Sequence, residues 1–258
     1  MKLLAAVAQI QIQFEQISNY KSILAELCKE ARQSEASLLM LPELWIHGYH
    51  KQTILDGTAY HLNAVTPFIS QMAKEYNLAI TGSYVEDNSG SRFNTHVLFG
   101  SSGEILAKYR KTHLFRPLHE DRYFDHGNEV VVVDTDFGRI GLATCYDLRF
   151  PELFRAMTAR GAEGFLLCAE WPSSRTMHWQ TLSRARAIEN QAWMLCGNCT
   201  GITGRHEFGG HSSLISPDGT LQSANIEPGL HLFQLDTESS KQYRSDFPVL
   251  DDIRIDLV

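Results

Sequence analysis

Residues 139–152 read RIGLATCYDLRFPE and join an apolar strand pattern, a cysteine and a helix start. The run RIGLAT is typical of a fully buried strand. Pro151 suits the first turn of a helix, because its missing N–H would have no partner there. The stretch therefore predicts a strand and a helix with Cys145 between them, at the point where the strand ends.

The same alternation of strands and helices continues on both sides of this stretch. Apolar residues from Ile23 to Ala31 follow a helical period, and SLLML at 37–41 is a short apolar run. Turns such as DNSG at 87–90 separate paired strands, so the sheet is expected to be mixed. Helices are also expected at 66–76, 151–161 and 176–191, and strands at 78–85, 95–100, 105–111, 129–135, 139–146, 164–171, 193–200 and 230–236. The pattern predicts a layered α/β fold, and because no linker or repeat divides the chain, we expect a single domain over residues 1–258.

Composition and charge narrow the class of protein. The chain has 258 residues with a net charge of −7, and its basic residues are scattered, which argues against nucleic acid as a main partner. Gln9, Gln11 and Gln13 alternate with Ile10 and Ile12, which predicts a strand and not a signal peptide. Since no other stretch is long enough to span a membrane, we expect a soluble, cytoplasmic protein. Five cysteines at irregular spacing indicate reduced thiols.

Three polar residues follow apolar strands. Glu43 comes after SLLMLP, Lys111 ends ILAKYRK, and Cys145 follows RIGLAT. The carboxyl ends of strands are where sites form in α/β sheets, so the three groups meet if their strands are neighbours. Each residue alone also has an ordinary explanation, as a solvated glutamate, a surface lysine or a core cysteine.

Together, the three groups have complementary chemistry. Glu43 would take the proton of the Cys145 thiol, and Lys111 would stabilise the thiolate and then an oxyanion. A backbone N–H after the cysteine, that of Tyr146, would be the second oxyanion donor. Glu43 would then protonate a leaving amine and activate a water molecule. This is a scheme for amide hydrolysis that uses neither a metal nor an organic cofactor.

The sequences around these three residues resemble those of the nitrilase superfamily, the carbon–nitrogen hydrolases. The three blocks are LMLPELWIHGY at 39–49, YRKTHLF at 109–115 and CYDLRFPELFR at 145–155. The resemblance implies a four-layer αββα sandwich, usually assembled as a homodimer, and a Glu-Lys-Cys triad. It also implies a second carboxylate that orients the lysine, for which Glu120 is the matching position and Asp121 the fallback.

Within that superfamily, CYDLRFPE combined with WPSSRTMHW at 171–179 resembles the ω-amidase branch. This branch hydrolyses the terminal amide of small dicarboxylic acid monoamides such as 2-oxoglutaramate, 2-oxosuccinamate and succinamate. The distal carboxylate of such a substrate needs a cation, and Arg149 and Arg175 are the candidates. Arg149 has an equal alternative as a buried ion-pair partner of Asp147 or Glu152, so Arg175 is slightly favoured. Aromatic residues near the site either wall it off from water or belong to the core: Trp45, Tyr49, Phe115, Tyr146 and Trp171.

Several alternatives stay open at this stage. A deaminated glutathione amidase or an N-carbamoyl amidohydrolase shares the superfamily, while the Tyr146–Asp147 pair argues against nitrile cleavage. The CGNC motif at 196–199 suggests a redox or zinc site, but it follows a strand pattern and lacks further ligands. Papain-like Cys/His catalysis and a non-catalytic nitrilase-like binding module are the other rivals. The histidines near the blocks are His47, His113, His119 and His178.

Overall fold

The computed structural model describes residues 1–254, and its strands form two six-stranded sheets and one two-stranded ribbon. The first sheet has the order β14-β1-β2-β3-β4-β5, with β1 Lys2–Gln9, β2 Ala36–Met40, β3 Ala79–Asn88, β4 Ser91–Phe99, β5 Ile105–Arg110 and β14 Gly229–Asp236. The second has the order β13-β12-β9-β8-β7-β6, with β6 Val132–Thr135, β7 Gly138–Thr144, β8 Gly164–Ala169, β9 Trp193–Asn198, β12 Ser213–Ile215 and β13 Leu221–Ser223. The ribbon pairs β10 Thr200–Thr203 with β11 His206–Gly209.

The helices lie between these strands along the chain. They are α1 Tyr20–Gln33, α2 Lys51–Asp56, α3 Leu62–Tyr76, α4 Pro151–Ala159, α5 Thr176–Asn190 and α6 Ser239–Asp246. Short 3-10 segments cover Phe14–Asn19, Thr58–Tyr60, Arg116–Leu118, Glu120–Arg122, Cys145–Arg149, Ser173–Arg175 and Val249–Asp252. None of the helices in the described part of the chain has the length and apolarity to cross a membrane.

Both sheets are mixed, as the hairpin turns predicted. In the first, β1, β2 and β3 are parallel, whereas β14, β4 and β5 join through antiparallel pairs. In the second, β7, β8 and β9 are parallel and the outer strands pair antiparallel. The prediction of an α/β fold with mixed sheets is therefore confirmed.

The strand period of two divides the apolar residues of the first sheet between two cores. Ala5 and Val7 of β1 pack in the core shared with the second sheet, whereas Ala6 and Ala8 pack against α1 and α3. On its other face, the second sheet is covered by α4 and α5, through residues such as Phe154 and Trp179. The layers follow the order helix, sheet, sheet, helix, which confirms the predicted αββα sandwich. That residues 1–258 form a single domain stays a prediction.

The expected strand around Gln9–Gln13 is wrong in its position. The strand β1 ends at Gln9, and the side chain of Gln9 is buried, where its Oε1 accepts from the Ser212 N–H at 2.9 Å. Its amide group donates to the carbonyls of Asn225 and Glu227 at 2.8 and 2.7 Å. The alternation past Gln9 is thus not a strand face, and Ile12 packs instead in a small cluster with Cys199 and Phe208.

The structure differs from the sequence expectations at two further places. The helix expected at 66–76 begins four residues earlier, because Leu62 and Val65 are also buried against the first sheet, which leaves Pro67 inside the helix. No strand is predicted within the Gly-rich segment 201–211, which contains most of the β10–β11 ribbon. The helix α6 has no strong apolar period and was not foreseen.

The contact between the sheets predicts the effect of a side chain at Gly197. A Cβ atom there would lie 2.7 Å from the Met40 sulfur and 3.1 Å from a Val7 methyl carbon, both in the opposite sheet. Gly197→Val should therefore lower the free energy of unfolding by about 1–3 kcal/mol through overpacking. Urea denaturation is the measurement, with Gln234→Val on an exposed strand position as the control, expected within about 0.5 kcal/mol of wild type. An unaffected Gly197→Val protein would contradict this packing of the sheets.

Candidate active site

The structure brings Glu43, Lys111 and Cys145 together, but not along one sheet. Lys111 directly follows β5, Glu43 lies in the loop after β2, and Cys145 directly follows β7 of the other sheet. The condition that their strands be neighbours is therefore not met. Two antiparallel pairings make β5 run in the direction of β3 and β2, so these strands end at the same edge of the sheet. The site forms where this edge meets the end of β7.

The Lys111 ammonium is fully buried between two carboxylates. Its Nζ lies 2.8 Å from Glu43 Oε1 and 2.9 Å from Glu120 Oε2. The Tyr49 hydroxyl lies 2.7 Å from Glu43 Oε1 and 2.9 Å from Glu120 Oε1. The Asn94 amide donates to the same two oxygens at 2.8 and 3.2 Å. Because the donors converge on both carboxylates, neither acid can move without breaking several hydrogen bonds.

This arrangement sets the charge of each group. Burial alone would raise the pKa of Glu43, but the Lys111 charge and hydrogen bonds from Lys111, Tyr49 and the Glu170 N–H lower it below its usual value. Burial would lower the pKa of Lys111, but the charges of Glu120 and Glu43 raise it well above its usual value. At neutral pH, the resting site therefore holds an ammonium and an ionised Glu43.

Glu120, and not Asp121, is the second carboxylate at the lysine. Glu120 is fully buried, and its Oε2 accepts from the Phe115 N–H at 2.6 Å. Asp121 is exposed at the surface of the same 3-10 segment. The fallback position therefore lies outside the site.

Cys145 sits at a sharp turn that holds its thiol beside Glu43. Its φ of 46° lies in the left-handed region, which is uncommon for a residue with a side chain and marks a constrained position. The sulfur lies 3.8 Å from the carbonyl oxygen of Glu170. Burial, followed by the charge of Glu43, raises the pKa of the thiol well above its usual value. At rest, Cys145 is thus a neutral thiol next to a carboxylate.

Asp147 ties the turn to the lysine segment. Its side chain accepts from the Thr144 N–H at 2.9 Å and from the Tyr109 hydroxyl at 2.8 Å. It also accepts from the His113 N–H at 3.1 Å and lies 2.8 Å from His113 Nδ1. Thr144 and Asp147 together form a capping box at the start of the 3-10 segment. Asp147 therefore fixes the ends of β5 and β7 relative to each other.

A small cavity opens beside the thiol of Cys145, which lines it. All four residues proposed from the sequence to bind substrate also line it: Tyr146, Arg149, Trp171 and Arg175. The remaining lining residues are Phe115, Glu170 and Pro172. The walls are largely aromatic, with two guanidinium groups as the cations, and the space between them is small.

The two arginines of the cavity lack carboxylate partners within the described part of the chain. The Arg149 guanidinium lies 4.7 Å from the centre of the Trp171 ring, and its Nη1 lies 3.3 Å from His178 Nδ1. The alternative pairing of Arg149 with Asp147 or Glu152 is not formed. Burial, and also the nearby Arg175 charge, lower the pKa of Arg149. Two unpaired cations near each other make this end of the cavity suited to an anion.

The other candidates from the sequence lie apart from this chemistry. Cys196 and Cys199 are buried free thiols, and burial raises the pKa of Cys196 to about 12. In residues 1–254, no group of three or more His, Cys, Asp and Glu side chains is placed to hold a metal ion. Of the histidines, His47 contacts the Gly48 carbonyl and His113 contacts Asp147, and neither hydrogen-bonds to Cys145.

Asn94 and Glu170 are not predicted from the sequence as site residues, and Tyr49 is considered there only as an aromatic residue that shields the site from water. Asn94 lies within β4, and Glu170 follows β8, so only the pairing of the strands brings them to the site. The strand-end pattern that indicated Glu43 applies equally to Glu170, since GFLLCA precedes it directly.

Comparisons with known proteins identify the family of this chain. A sequence profile of the carbon-nitrogen hydrolase family matches residues 4–244. The chain is 36% identical to the 2-oxoglutaramate amidase of Bacillus subtilis (strain 168), over 90% of this chain and 91% of that protein. It is 34% identical to the deaminated glutathione amidase of Mus musculus, over 98% of this chain and 84% of that protein. The crystal structure of an amidase from Nesterenkonia sp. superposes with a TM-score of 0.85 at 26% identity, covering 96% of this chain and 95% of that one. The chain belongs to the carbon-nitrogen hydrolase family.

Proposed function

We propose that this protein hydrolyses the terminal amide of small dicarboxylic acid monoamides to the acid and ammonia, through a thioester on Cys145. The substrates meant are of the 2-oxoglutaramate, 2-oxosuccinamate and succinamate type. The observation that carries the proposal is the pair of unpaired guanidinium groups, Arg149 and Arg175, in the small cavity that Cys145 also lines. A nucleophile at one side and cations at the other match an amide and a carboxylate joined by a short chain.

The first step forms the acyl-enzyme. The Cys145 sulfur attacks the amide carbon while its proton passes to Glu43, and the carbonyl electron pair moves onto oxygen. Because the resting thiol has a raised pKa and Glu43 a lowered one, the transfer is unfavourable before substrate binds and accompanies the attack. The oxyanion then faces the Lys111 ammonium and the N–H of Tyr146, which stabilise it.

The second step releases ammonia. The oxyanion collapses, the carbon–nitrogen bond breaks, and Glu43 returns its proton to the leaving nitrogen. A water molecule then gives a proton to Glu43 and attacks the thioester, and the thiol leaves with that proton. Glu120 holds Lys111 in place throughout, so its role is positioning.

The size of the cavity favours a short substrate over a peptide-like one. The cavity has a volume of about 20 Å³, well below the range typical of sites for drug-sized ligands. The similarity to a deaminated glutathione amidase keeps that longer substrate as the second candidate. An N-carbamoyl amino acid and a non-catalytic role remain as outcomes of the test.

We further propose that the protein acts in the cytoplasm as a homodimer, as the family resemblance implies. Light scattering coupled to size-exclusion chromatography measures the assembly. A monomer at working concentration would contradict the homodimer.

The direct test of the proposed function is ammonia release from a panel of amides. Succinamate and 2-oxoglutaramate should be hydrolysed fastest, ahead of asparagine, a carbamoyl-β-amino acid, deaminated glutathione and a simple nitrile. Cys145→Ala should reduce the rate to below about one thousandth, since it removes the nucleophile. Cys28→Ala, a buried cysteine on α1, is the matched control and should keep the activity. Activity confined to deaminated glutathione or a carbamoyl compound would assign the protein to another branch of the superfamily. No activity on any substrate of the panel would favour the non-catalytic module.

The role of the two arginines is tested by comparing a charged and an uncharged amide. Arg149→Met and Arg175→Met should each raise KM for succinamate by about 10- to 100-fold, the loss of a charge-assisted hydrogen bond. Hydrolysis of butanamide, which has no carboxylate, should change little. Arg184→Met, an exposed position on α5, is the control. An equal loss on both amides would show that the arginines do not bind the carboxylate.

Lys111→Met should affect both rate and stability. Removing an oxyanion donor should lower kcat by about 100- to 1000-fold. Removing the ammonium also leaves two buried carboxylates unpaired, at a cost of about 3–5 kcal/mol near pH 7. Without Lys111 the pKa of Glu43 should rise, so the variant's deficit in stability should shrink as the pH falls and Glu43 protonates. Urea denaturation at several pH values measures this, with Lys108→Met on the exposed face of β5 as control. A Lys111→Met protein as stable as wild type would contradict the paired arrangement.

A further inference from the structure

Glu170 is a buried carboxyl group in the cavity that the mechanism above does not use. It directly follows β8, is 5% exposed, and lines the cavity together with Cys145. Its side-chain Oε1 has no hydrogen-bond partner among residues 1–254. A buried polar atom without a partner is costly, so its presence beside a nucleophile points to a ligand that completes it.

The main chain of Glu170 touches both reacting groups. Its N–H donates to Glu43 Oε2 at 3.0 Å, and its carbonyl oxygen lies 3.8 Å from the Cys145 sulfur. Its carboxyl group packs against Gly48, where a Cβ atom would lie 3.0 Å from Oε1. Gly48 belongs to the loop that carries Glu43. The Glu170 carboxyl therefore lies on the Glu43 side of the cavity.

The surroundings of Glu170 favour its neutral form. One ammonium, Lys111, already contacts two carboxyl groups, Glu43 and Glu120, so this buried cluster has no further cation for a third. An ionised Glu170 would therefore add an uncompensated charge away from water. Burial, followed by the charge of Glu43, raises the pKa of Glu170 well above its usual value, against the opposing effect of Lys111.

We propose that Glu170 is held as a neutral carboxylic acid and binds the substrate directly, its unpartnered oxygen accepting a hydrogen bond from the N–H₂ group of the amide. The inference rests on the proposed function, in which Glu43 protonates the leaving nitrogen. That nitrogen must then lie next to Glu43, on the same side of the cavity as the Glu170 carboxyl. The acid acts as a specificity-determining residue for unsubstituted amides, because an ester presents no N–H at this place.

The test compares two variants on two substrates. Glu170→Gln keeps a carbonyl acceptor of the same reach, whereas Glu170→Leu removes it. On succinamate, Glu170→Leu should lower kcat/KM by at least about tenfold relative to Glu170→Gln, the worth of one such hydrogen bond. On monomethyl succinate, the corresponding ester, the two variants should differ by less than about threefold, since this substrate cannot make that bond. Glu26→Gln and Glu26→Leu, at an exposed position on α1, are the matched controls.

The charge state has a separate readout that does not depend on turnover. A carboxyl group whose pKa is raised on folding adds stability at low pH that is lost as the pH rises from its unfolded value through its folded one. The Tm of Glu170→Gln minus that of wild type should therefore increase between pH 5 and pH 8. Taking this difference cancels the titration of groups that wild type and variant have in common. These groups are the ones that face Glu170, namely Glu43, Tyr49, Lys111, Glu120, Cys145 and Cys199, together with Arg149 and Arg175 in the same cavity.

Each outcome separates the claims. Equal losses on amide and ester in Glu170→Leu would make the side chain structural and overturn the substrate contact. A Tm difference that stays flat with pH would show an ionised Glu170 and overturn the neutral acid. A wild-type protein that releases no ammonia from any amide would overturn the proposed function, and the substrate contact with it, while the Tm difference would still report the charge.

Discussion

The ammonium of Lys111, buried between Glu43 and Glu120, is the interaction on which the rest of the site depends. A fully buried charge is tolerated only when opposite charges and hydrogen bonds replace the lost water. Here, Glu43 and Glu120 supply the charges, and Tyr49 and Asn94 contact both carboxylates. The same contacts hold the proposed base ionised and the proposed oxyanion donor charged before any substrate arrives. Such preorganisation in a site that excludes water is what makes electrostatic stabilisation effective.

The fold forms this cluster by bringing the ends of strands from two sheets together. Glu43 and Lys111 come from the first sheet, and Cys145 comes from the second. Asp147 accepts hydrogen bonds from both the cysteine turn and the lysine segment, so it positions Cys145 relative to Lys111. Packing at the contact between the sheets, as at Gly197, therefore bears on the geometry of the site as well as on stability.

The sequence predicts the fold class and the three central residues well, and the supporting residues poorly. Strand patterns that end just before Glu43, Lys111 and Cys145 are a local signal, and the three family blocks strengthen it. Asn94 and Tyr49 give no such signal, since they depend on how β4 and the Glu43 loop are placed. The strand alternation past Gln9 failed because tertiary hydrogen bonds, and not a solvent-facing sheet, use the polar side chain. The assumption of neighbouring strands failed because the order of strands in a sandwich cannot be read from their order in the chain.

Mass spectrometry of the enzyme quenched in acid during turnover of succinamate would detect the proposed thioester on Cys145. We expect the peptide containing Cys145 to gain the mass of one succinyl group, hydroxylamine to remove this mass, and the Cys145→Ala protein never to gain it. Ammonia release without any acyl group on Cys145, or an acyl group on another residue, would contradict the thioester mechanism.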